Sequence, residues 1–139
     1  MAHVLFICTG NYYRSRFAEA VFNHHAERQG HAARAFSRGL LTHVVEGEIS
    51  PLAQRGLTER AIPIHYTSHR PTQITAGDFV RAQTIVALHD EEHRPMIAAR
   101  FPDQLGRVTF WDVSDLPMPP DVAFSLIERH VLDLLTALR

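Results

Sequence analysis

A cysteine, an arginine and a serine lie close together in CTGNYYRS, residues 8 to 15 of the chain. Cys8 is the only cysteine, and five residues separate it from Arg14, which Ser15 follows directly. A thiolate is a strong nucleophile, and a guanidinium group presents parallel donors to the oxygens of a phosphate. The types and spacing of these residues therefore indicate attack by a cysteine thiolate on a bound phosphorus atom.

The segment lies between a predicted buried strand and a predicted helix. Residues 3 to 8 (HVLFIC) are largely apolar, as in a strand that is covered on both faces. From Ser15 to Gln29 the apolar residues recur at helical spacing, and Gly30 supplies a stop signal. In open α/β sheets, ligands bind at the carboxyl ends of the strands. The turn at Cys8 is therefore in the place where a ligand site is expected.

A loop that enters a helix at this edge of a sheet is suited to bind an anion. Its backbone N–H groups point towards one spot, and the helix dipole favours a negative charge there. Gly10 lets the backbone turn without a Cβ in the way, Ser15 can donate a hydrogen bond to the Cys8 thiolate, and Asn11 can brace the loop. The loop residues that we expect to bind the phosphate group are Thr9, Gly10, Asn11, Tyr12, Tyr13 and Ser15.

A less specific interpretation is that Cys8 is simply a small buried residue, as a lone cysteine usually is. Tyr12 and Tyr13 could wall the pocket or pack beneath it, and the sequence leaves this open. The combination of strand, cysteine, glycine, arginine, serine and helix start, in the order that the chemistry needs, favours a nucleophile.

The rest of the chain alternates apolar runs with helical patterns, which is typical of a βαβα fold with a mostly parallel sheet. Further strands are predicted at 33–37, 84–88 and 107–111, and further helices at 51–61, 76–81, 91–101 and 121–138. We therefore predict an α/β fold with one domain over residues 1–139, in which a four-stranded parallel sheet is doubly wound, with helices on both faces.

Charge and cysteine content narrow the classes of function. The formal net charge is −1 and all 14 basic residues are arginines, so we expect neither nucleic acid nor a membrane as a partner. A single cysteine forms no internal disulfide, which fits a reducing compartment. The first apolar run is too short to span a membrane and has no basic leader. A cytoplasmic protein is the expectation.

The segment CTGNYYRS resembles the signature of the low-molecular-weight protein tyrosine phosphatase family, V-C-x-G-N-x-C-R-S-P, and FAEAVF is similar to the helix that follows it in the family. The matching residues are Cys8, Gly10, Asn11, Arg14 and Ser15. Tyr13 stands where many members have a second cysteine, so the loop disulfide that protects the nucleophile in those members cannot form here. Arg16 replaces the usual proline without removing a catalytic group.

The resemblance also implies a general acid near the end of the chain. The family carries Asp-Pro there, in many bacterial members four residues beyond an aromatic, and Trp111 and Asp115 reproduce that spacing in FWDVSDLPMPP. Leu116 separates Asp115 from the proline, so Asp112 stays an alternative acid. Either aspartate could instead cap a turn in this proline-rich loop.

Two supporting residues follow from the same resemblance. Ser37, after the second strand, is expected to bond Asn11, and Asp90, in ALHD at the end of the third strand, is expected to order the loop. HDEEH at 89–93 also fits the H-x-x-E-H pattern of zinc peptidases, but His89 directly ends a predicted strand, so we expect no metal.

The resemblance implies a cysteine-dependent phosphomonoesterase that forms a phosphocysteine, acts on phosphotyrosine and needs no cofactor. The substrate would be a phosphorylated protein or a small aryl phosphate, and the product inorganic phosphate. Two alternatives stay open. One is an arsenate reductase that uses an external low-molecular-weight thiol, since one cysteine excludes the three-cysteine form. The other is a non-catalytic phosphate- or phosphoprotein-binding module. The oligomeric state is not predicted.

Overall fold

Strand β1 (His3–Cys8) occupies an inner position of a four-stranded sheet in which every pair of neighbouring strands is parallel. The computed structural model describes residues 2–139, and the strand order is β2-β1-β3-β4. The other strands are β2 (Arg34–Gly39), β3 (Thr84–Ala87) and β4 (Val108–Phe110). The predicted four-stranded parallel sheet is confirmed.

Within residues 2–139, five helices connect and follow these strands, close to the positions that the apolar spacing predicts. They are α1 (Arg14–Arg28), α2 (Pro51–Glu59), α3 (Ala76–Arg81), α4 (Asp90–Arg100) and α5 (Pro120–Ala137). Short 3-10 turns occur at Thr42–Val44, Ile64–Tyr66 and Pro102–Arg107. Of the helices described here, none has the length and apolar character needed to cross a membrane.

The side chains of β1 alternate between two apolar clusters, one on each face of the sheet. Phe6 packs with residues of α1, α2 and α5, including Phe17. Leu5 points to the opposite face and packs with Phe79 of α3 and Ile97 of α4. The prediction of helices on both faces is therefore confirmed, and β1 is buried between the two helical layers.

The carboxyl ends of β1, β3 and β4 bring three separate loops to the same edge of the sheet. Leu88, at the end of β3, donates its N–H to the carbonyl of Ile7 at 3.0 Å. Val113, beyond β4, donates in turn to the carbonyl of Leu88 at 2.9 Å. The segment predicted to carry the acid therefore lies beside the start of α4 and near Cys8.

Candidate active site

Cys8 is the last residue of β1 and lies at the base of a pocket. Its side chain is buried, and its Sγ lies 2.8 Å from Oγ of Ser15 in the first turn of α1. The pocket has a volume of about 270 Å³. Its walls are formed by Cys8, Thr9, Gly10, Tyr12, Tyr13, Arg14, Val44, Val45 and Asp115. The predicted nucleophile and the predicted acid thus share one cavity.

The backbone of the loop between β1 and α1 keeps its donors free. Within residues 2–139, none of the N–H groups of residues 9 to 13 donates a hydrogen bond to the protein, although the carbonyls of Cys8, Thr9 and Tyr12 all accept one. Consecutive free N–H groups at the start of a helix bind anions, and the helix dipole adds to this. The loop is therefore suited to hold the oxygens of a phosphate group.

Asn11 holds the loop in its curved conformation. Its backbone is in the left-handed region, with φ at 53°, and its side chain is fully buried. Its Nδ2 donates to Ser15 Oγ and to Ser37 Oγ, both at 2.9 Å, and its Oδ1 accepts from the N–H of Thr72 at 2.8 Å. The contact expected between Asn11 and Ser37 is present.

A side chain at Gly10 would clash with the opposite side of the pocket. The backbone of Gly10 is not left-handed; that conformation belongs to Asn11. A Cβ at Gly10 would lie 2.6 Å from Cγ1 of Val45, which forms the opposite wall of the pocket. Gly10 therefore allows this wall to approach the phosphate loop closely.

Arg14 is held by hydrogen bonds from two of its guanidinium nitrogens. Its guanidinium is buried, Nη1 donates to the carbonyl of Val113 at 3.0 Å, and Nη2 donates to Oε2 of Glu92 at 2.8 Å. Among the described residues, no hydrogen bond engages Nε of Arg14. The guanidinium therefore keeps donors available for a phosphate group while its plane is fixed.

Glu92 and His93 of α4 belong to the site, which the sequence did not predict. Oε2 of Glu92 accepts from Nη2 of Arg14 and from the hydroxyl of Thr9, and Nε2 of His93 lies 3.1 Å from it. Burial opposes ionisation of this carboxyl, but the contacts with His93, Arg14 and Thr9 hold the pKa of Glu92 far below its usual range. Both residues belong to HDEEH, which the sequence related only to a zinc pattern.

The two tyrosines of the loop take different positions. Tyr12 is half-buried and lines the pocket. Tyr13 also lines it but is buried, and its ring packs against Phe124 of α5 with the centroids 5.5 Å apart. Burial raises the pKa of Tyr13, and the nearby charge of Asp115 adds to this effect. The sequence left open whether these tyrosines form the wall of the pocket or pack beneath it. Tyr12 lies in the wall, and Tyr13 does both.

The structure separates the two candidate acids. Asp115 is exposed at the mouth of the pocket, and its Oδ1 accepts from the N–H of Leu116 at 2.9 Å. Asp112 does not line the pocket and instead pairs with Nε2 of His130 at 2.7 Å. That hydrogen bond lowers the pKa of Asp112, which makes it a poor proton donor. The geometry favours Asp115.

Asp90 does not make the contact that was expected of it. It is the first residue of α4, and its carboxylate accepts two hydrogen bonds from Arg94 on the surface, at 2.7 and 3.0 Å. In the part of the chain that the structure describes, the side chain of Asp90 has no bond to the loop. Glu92, two residues later in α4, makes that contact instead through Thr9 and Arg14.

A second buried network beneath the loop was also not predicted. Glu19 accepts from the hydroxyls of Ser37 at 2.6 Å and Thr67 at 2.7 Å, and Nε of Arg16 donates to Thr67 at 2.7 Å. Arg16 also donates to the carbonyl of Glu48 at 2.7 Å. The residue that replaces the usual proline therefore ties the segment before α2 to the phosphate loop.

Residues 3–113 match the family model for low molecular weight phosphotyrosine protein phosphatase. The chain belongs to this family. The match begins with β1 and ends just after β4, so it contains the phosphate loop and the start of α4. Asp115 lies two residues beyond the matched region.

Similar proteins include phosphatases that are named for two different substrates. A protein-arginine-phosphatase of Bacillus subtilis (strain 168) is 33% identical over 100 residues, which cover 70% of this chain and 62%, less than two thirds, of that protein. The arginine phosphatase YwlE from Geobacillus stearothermophilus is 26% identical, with a TM-score of 0.73 over 99% of this chain and 95% of that one. A low molecular weight protein tyrosine phosphatase from T. tengcongensis is 26% identical, with a TM-score of 0.78 over 99% and 97%.

Proposed function

We propose that this protein is a cysteine-dependent phosphatase that forms a phosphocysteine intermediate. The observation that carries the proposal is one pocket with Cys8 at its base, free backbone N–H groups around it, Arg14 behind it and Asp115 at its mouth. Family membership supports the same chemistry. We also propose a cytoplasmic location, because a catalytic thiol needs a reducing compartment.

In the first step, Cys8 Sγ attacks phosphorus in line with the leaving oxygen, so that an S–P bond forms as the P–O bond breaks. Arg14 and the loop N–H groups stabilise the charge on the three phosphoryl oxygens. The carboxyl group of Asp115 gives its proton to the leaving oxygen. In the second step the Asp115 carboxylate takes a proton from water, which attacks phosphorus and releases inorganic phosphate and the Cys8 thiolate.

The preferred substrate in this proposal is phosphotyrosine in a protein. The walls of the pocket include Tyr12, Tyr13, Val44 and Val45, which offer apolar contact to an aryl ring. A phenol is also a good leaving group once it receives the proton of Asp115.

Phosphoarginine in a protein is the second candidate, because two of the similar proteins are named arginine phosphatases. Peptides of identical sequence that carry either phosphotyrosine or phosphoarginine separate the two. The apolar walls predict a larger kcat/KM for the phosphotyrosine peptide. A larger value for the phosphoarginine peptide would reverse the assignment.

Hydrolysis of p-nitrophenyl phosphate in the presence of EDTA tests the activity itself. We expect turnover by the wild type, none by Cys8→Ser, and a loss of kcat of roughly 100-fold in Asp115→Ala. Asp112→Ala is the matched control, because Asp112 is a nearby aspartate outside the pocket, and it should stay within about threefold of the wild type. An inactive wild type that still binds vanadate would contradict the phosphatase proposal, and equal losses in both aspartate variants would contradict the choice of acid.

A further inference from the structure

We propose that Glu92 is a positioning residue that fixes the guanidinium of Arg14 and the hydroxyl of Thr9 from behind the phosphate loop. The proposal rests on the proposed function, in which Arg14 binds the phosphoryl oxygens. Glu92 itself would not touch the substrate, because it does not line the pocket.

One carboxylate oxygen accepts from both ends of the loop. Oε2 of Glu92 accepts from Nη2 of Arg14 at 2.8 Å and from the hydroxyl of Thr9, and Nε2 of His93 lies 3.1 Å from it. Thr9 directly follows Cys8 in the chain, and Arg14 starts α1. Glu92 thus joins both ends of the phosphate loop to α4.

This contact fixes the direction of the guanidinium as well as its position. Nη1 of Arg14 is held by the carbonyl of Val113, and Nη2 is held by Glu92. The guanidinium is planar, and when two of its nitrogens are held it cannot turn about the Cδ–Nε bond, so the directions of its remaining N–H groups are set. Donors that are arranged before the substrate binds need no reorganisation during the reaction.

His93 lies against both Thr9 and Glu92. The backbone N–H of His89 donates to Nδ1 of His93 at 3.1 Å, so this nitrogen accepts and we assign the ring hydrogen to Nε2, which faces Glu92 and Thr9. The ring is fully buried, which lowers its pKa and keeps it neutral. Because the Thr9 hydroxyl donates to Glu92, Nε2 of His93 donates to Oγ1 of Thr9 at 3.2 Å, and it does so without adding a charge beside Arg14.

Glu92 could instead act as an ordinary acidic residue in the first turn of a helix, where a negative charge interacts favourably with the helix dipole. Glu91 lies in the same turn and is exposed. Glu91→Ala is therefore a matched control, because it removes the same charge from the same helix end without touching Arg14.

The test compares Glu92→Ala, Glu92→Gln and Glu91→Ala by steady-state hydrolysis of p-nitrophenyl phosphate and by calorimetric binding of inorganic phosphate. Alanine and glutamine both remove the charge, but only glutamine keeps an acceptor for Arg14. We expect kcat of Glu92→Ala to lie at least about tenfold below that of Glu92→Gln, with KM values within about threefold. Phosphate should also bind at least about threefold more weakly to Glu92→Ala than to Glu92→Gln.

Equal kcat and equal phosphate affinity in the two Glu92 variants would overturn the proposal, as would an equal loss in Glu91→Ala.

Arg14→Lys adds a second criterion, because lysine has no planar fork to orient. When Arg14→Lys is combined with either Glu92→Ala or Glu92→Gln, the kcat values of the two double variants should differ by less than about twofold. If they differ as much as the two single variants do, Glu92 does not act through Arg14. If the wild type binds phosphate but has no turnover, the proposed function fails, and the affinities alone decide the role of Glu92.

Discussion

His93 is a titratable side chain that lies fully buried inside the site. Burial lowers its pKa in the folded protein, against the raising effect of Glu92, and Arg14 and His89 lower it further. In the unfolded chain the imidazole has its ordinary pKa of about 6.5. Below that pH the unfolded chain therefore takes up a proton that the folded chain does not, and folding becomes less favourable.

We predict that this effect is visible when the wild type is compared with His93→Gln. Above about pH 7.5 the difference in their free energies of unfolding should be constant. As the pH falls from about 6.5 towards 5, the wild type should lose stability relative to the variant. Urea denaturation at a series of pH values measures this, and parallel pH profiles for the two proteins would contradict it.

At the scale of residues, the sequence was most informative where function needs a fixed spacing. The loop from Cys8 to Ser15 and the two candidate acids, Asp115 and Asp112, followed from short distances along the chain, whereas the choice between the two aspartates needed the structure. Glu92 could not be predicted from such distances, because its partners Thr9 and Arg14 lie more than 75 positions away. Only the order of strands in the sheet brings α4 to the phosphate loop.

At the scale of elements, close packing between helices decides whether a glycine in a helix can be replaced by a larger residue. A Cβ at Gly56 in α2 would lie 2.6 and 2.7 Å from ring carbons of Phe124 in α5. Gly77 in α3 is also helical, but a Cβ there would have its nearest neighbour, Oγ1 of Thr75, at 3.7 Å. Neither glycine has a positive φ.

We predict opposite effects of alanine at these two glycines. Gly56→Ala should lower the free energy of unfolding by about 1–3 kcal/mol, because α2 and α5 must move apart. Gly77→Ala should leave it unchanged or raise it by up to about 1 kcal/mol, because alanine favours the helix and its Cβ makes only an ordinary van der Waals contact. Urea denaturation of both variants checks this, and a stable Gly56→Ala would contradict the packing.

The positions of the elements followed from apolar periodicity, but some of their bounds did not. Helix α4 starts at Asp90 and ends at Arg100, one residue earlier at each end than the predicted 91–101. Strand β4 ends at Phe110, one residue before the predicted end. Both differences arise at element ends, where the local pattern is weak and contacts with neighbouring loops decide.

At the scale of the whole molecule, Cys8 carries the only thiol of the chain, so no second thiol in the chain can form a disulfide with it. Cysteine thiolates are oxidised to sulfenic acid and then, irreversibly, to sulfinic acid unless a second thiol traps the first product. Tyr13 occupies the loop position at which a second cysteine would be available in many members of the family.

We predict that inactivation by hydrogen peroxide is reversed by added thiol only after brief exposure. After longer exposure the activity should stay lost, and mass spectrometry should find sulfinic or sulfonic acid at Cys8. Inorganic phosphate should slow the loss, because it would occupy the pocket above Cys8. Full recovery by thiol after long exposure would contradict this prediction and indicate another form of protection.

The most direct test of nucleophilic attack by Cys8 is to trap the intermediate. Asp115→Asn is mixed with p-nitrophenyl phosphate and quenched rapidly in acid, and the peptide that contains Cys8 is analysed by mass spectrometry. We predict a peptide that is heavier by one phosphoryl group, with the modification on Cys8 and absent from Cys8→Ser. A wild type that hydrolyses the substrate while Cys8 carries no phosphoryl group at any quench time would contradict nucleophilic attack by Cys8.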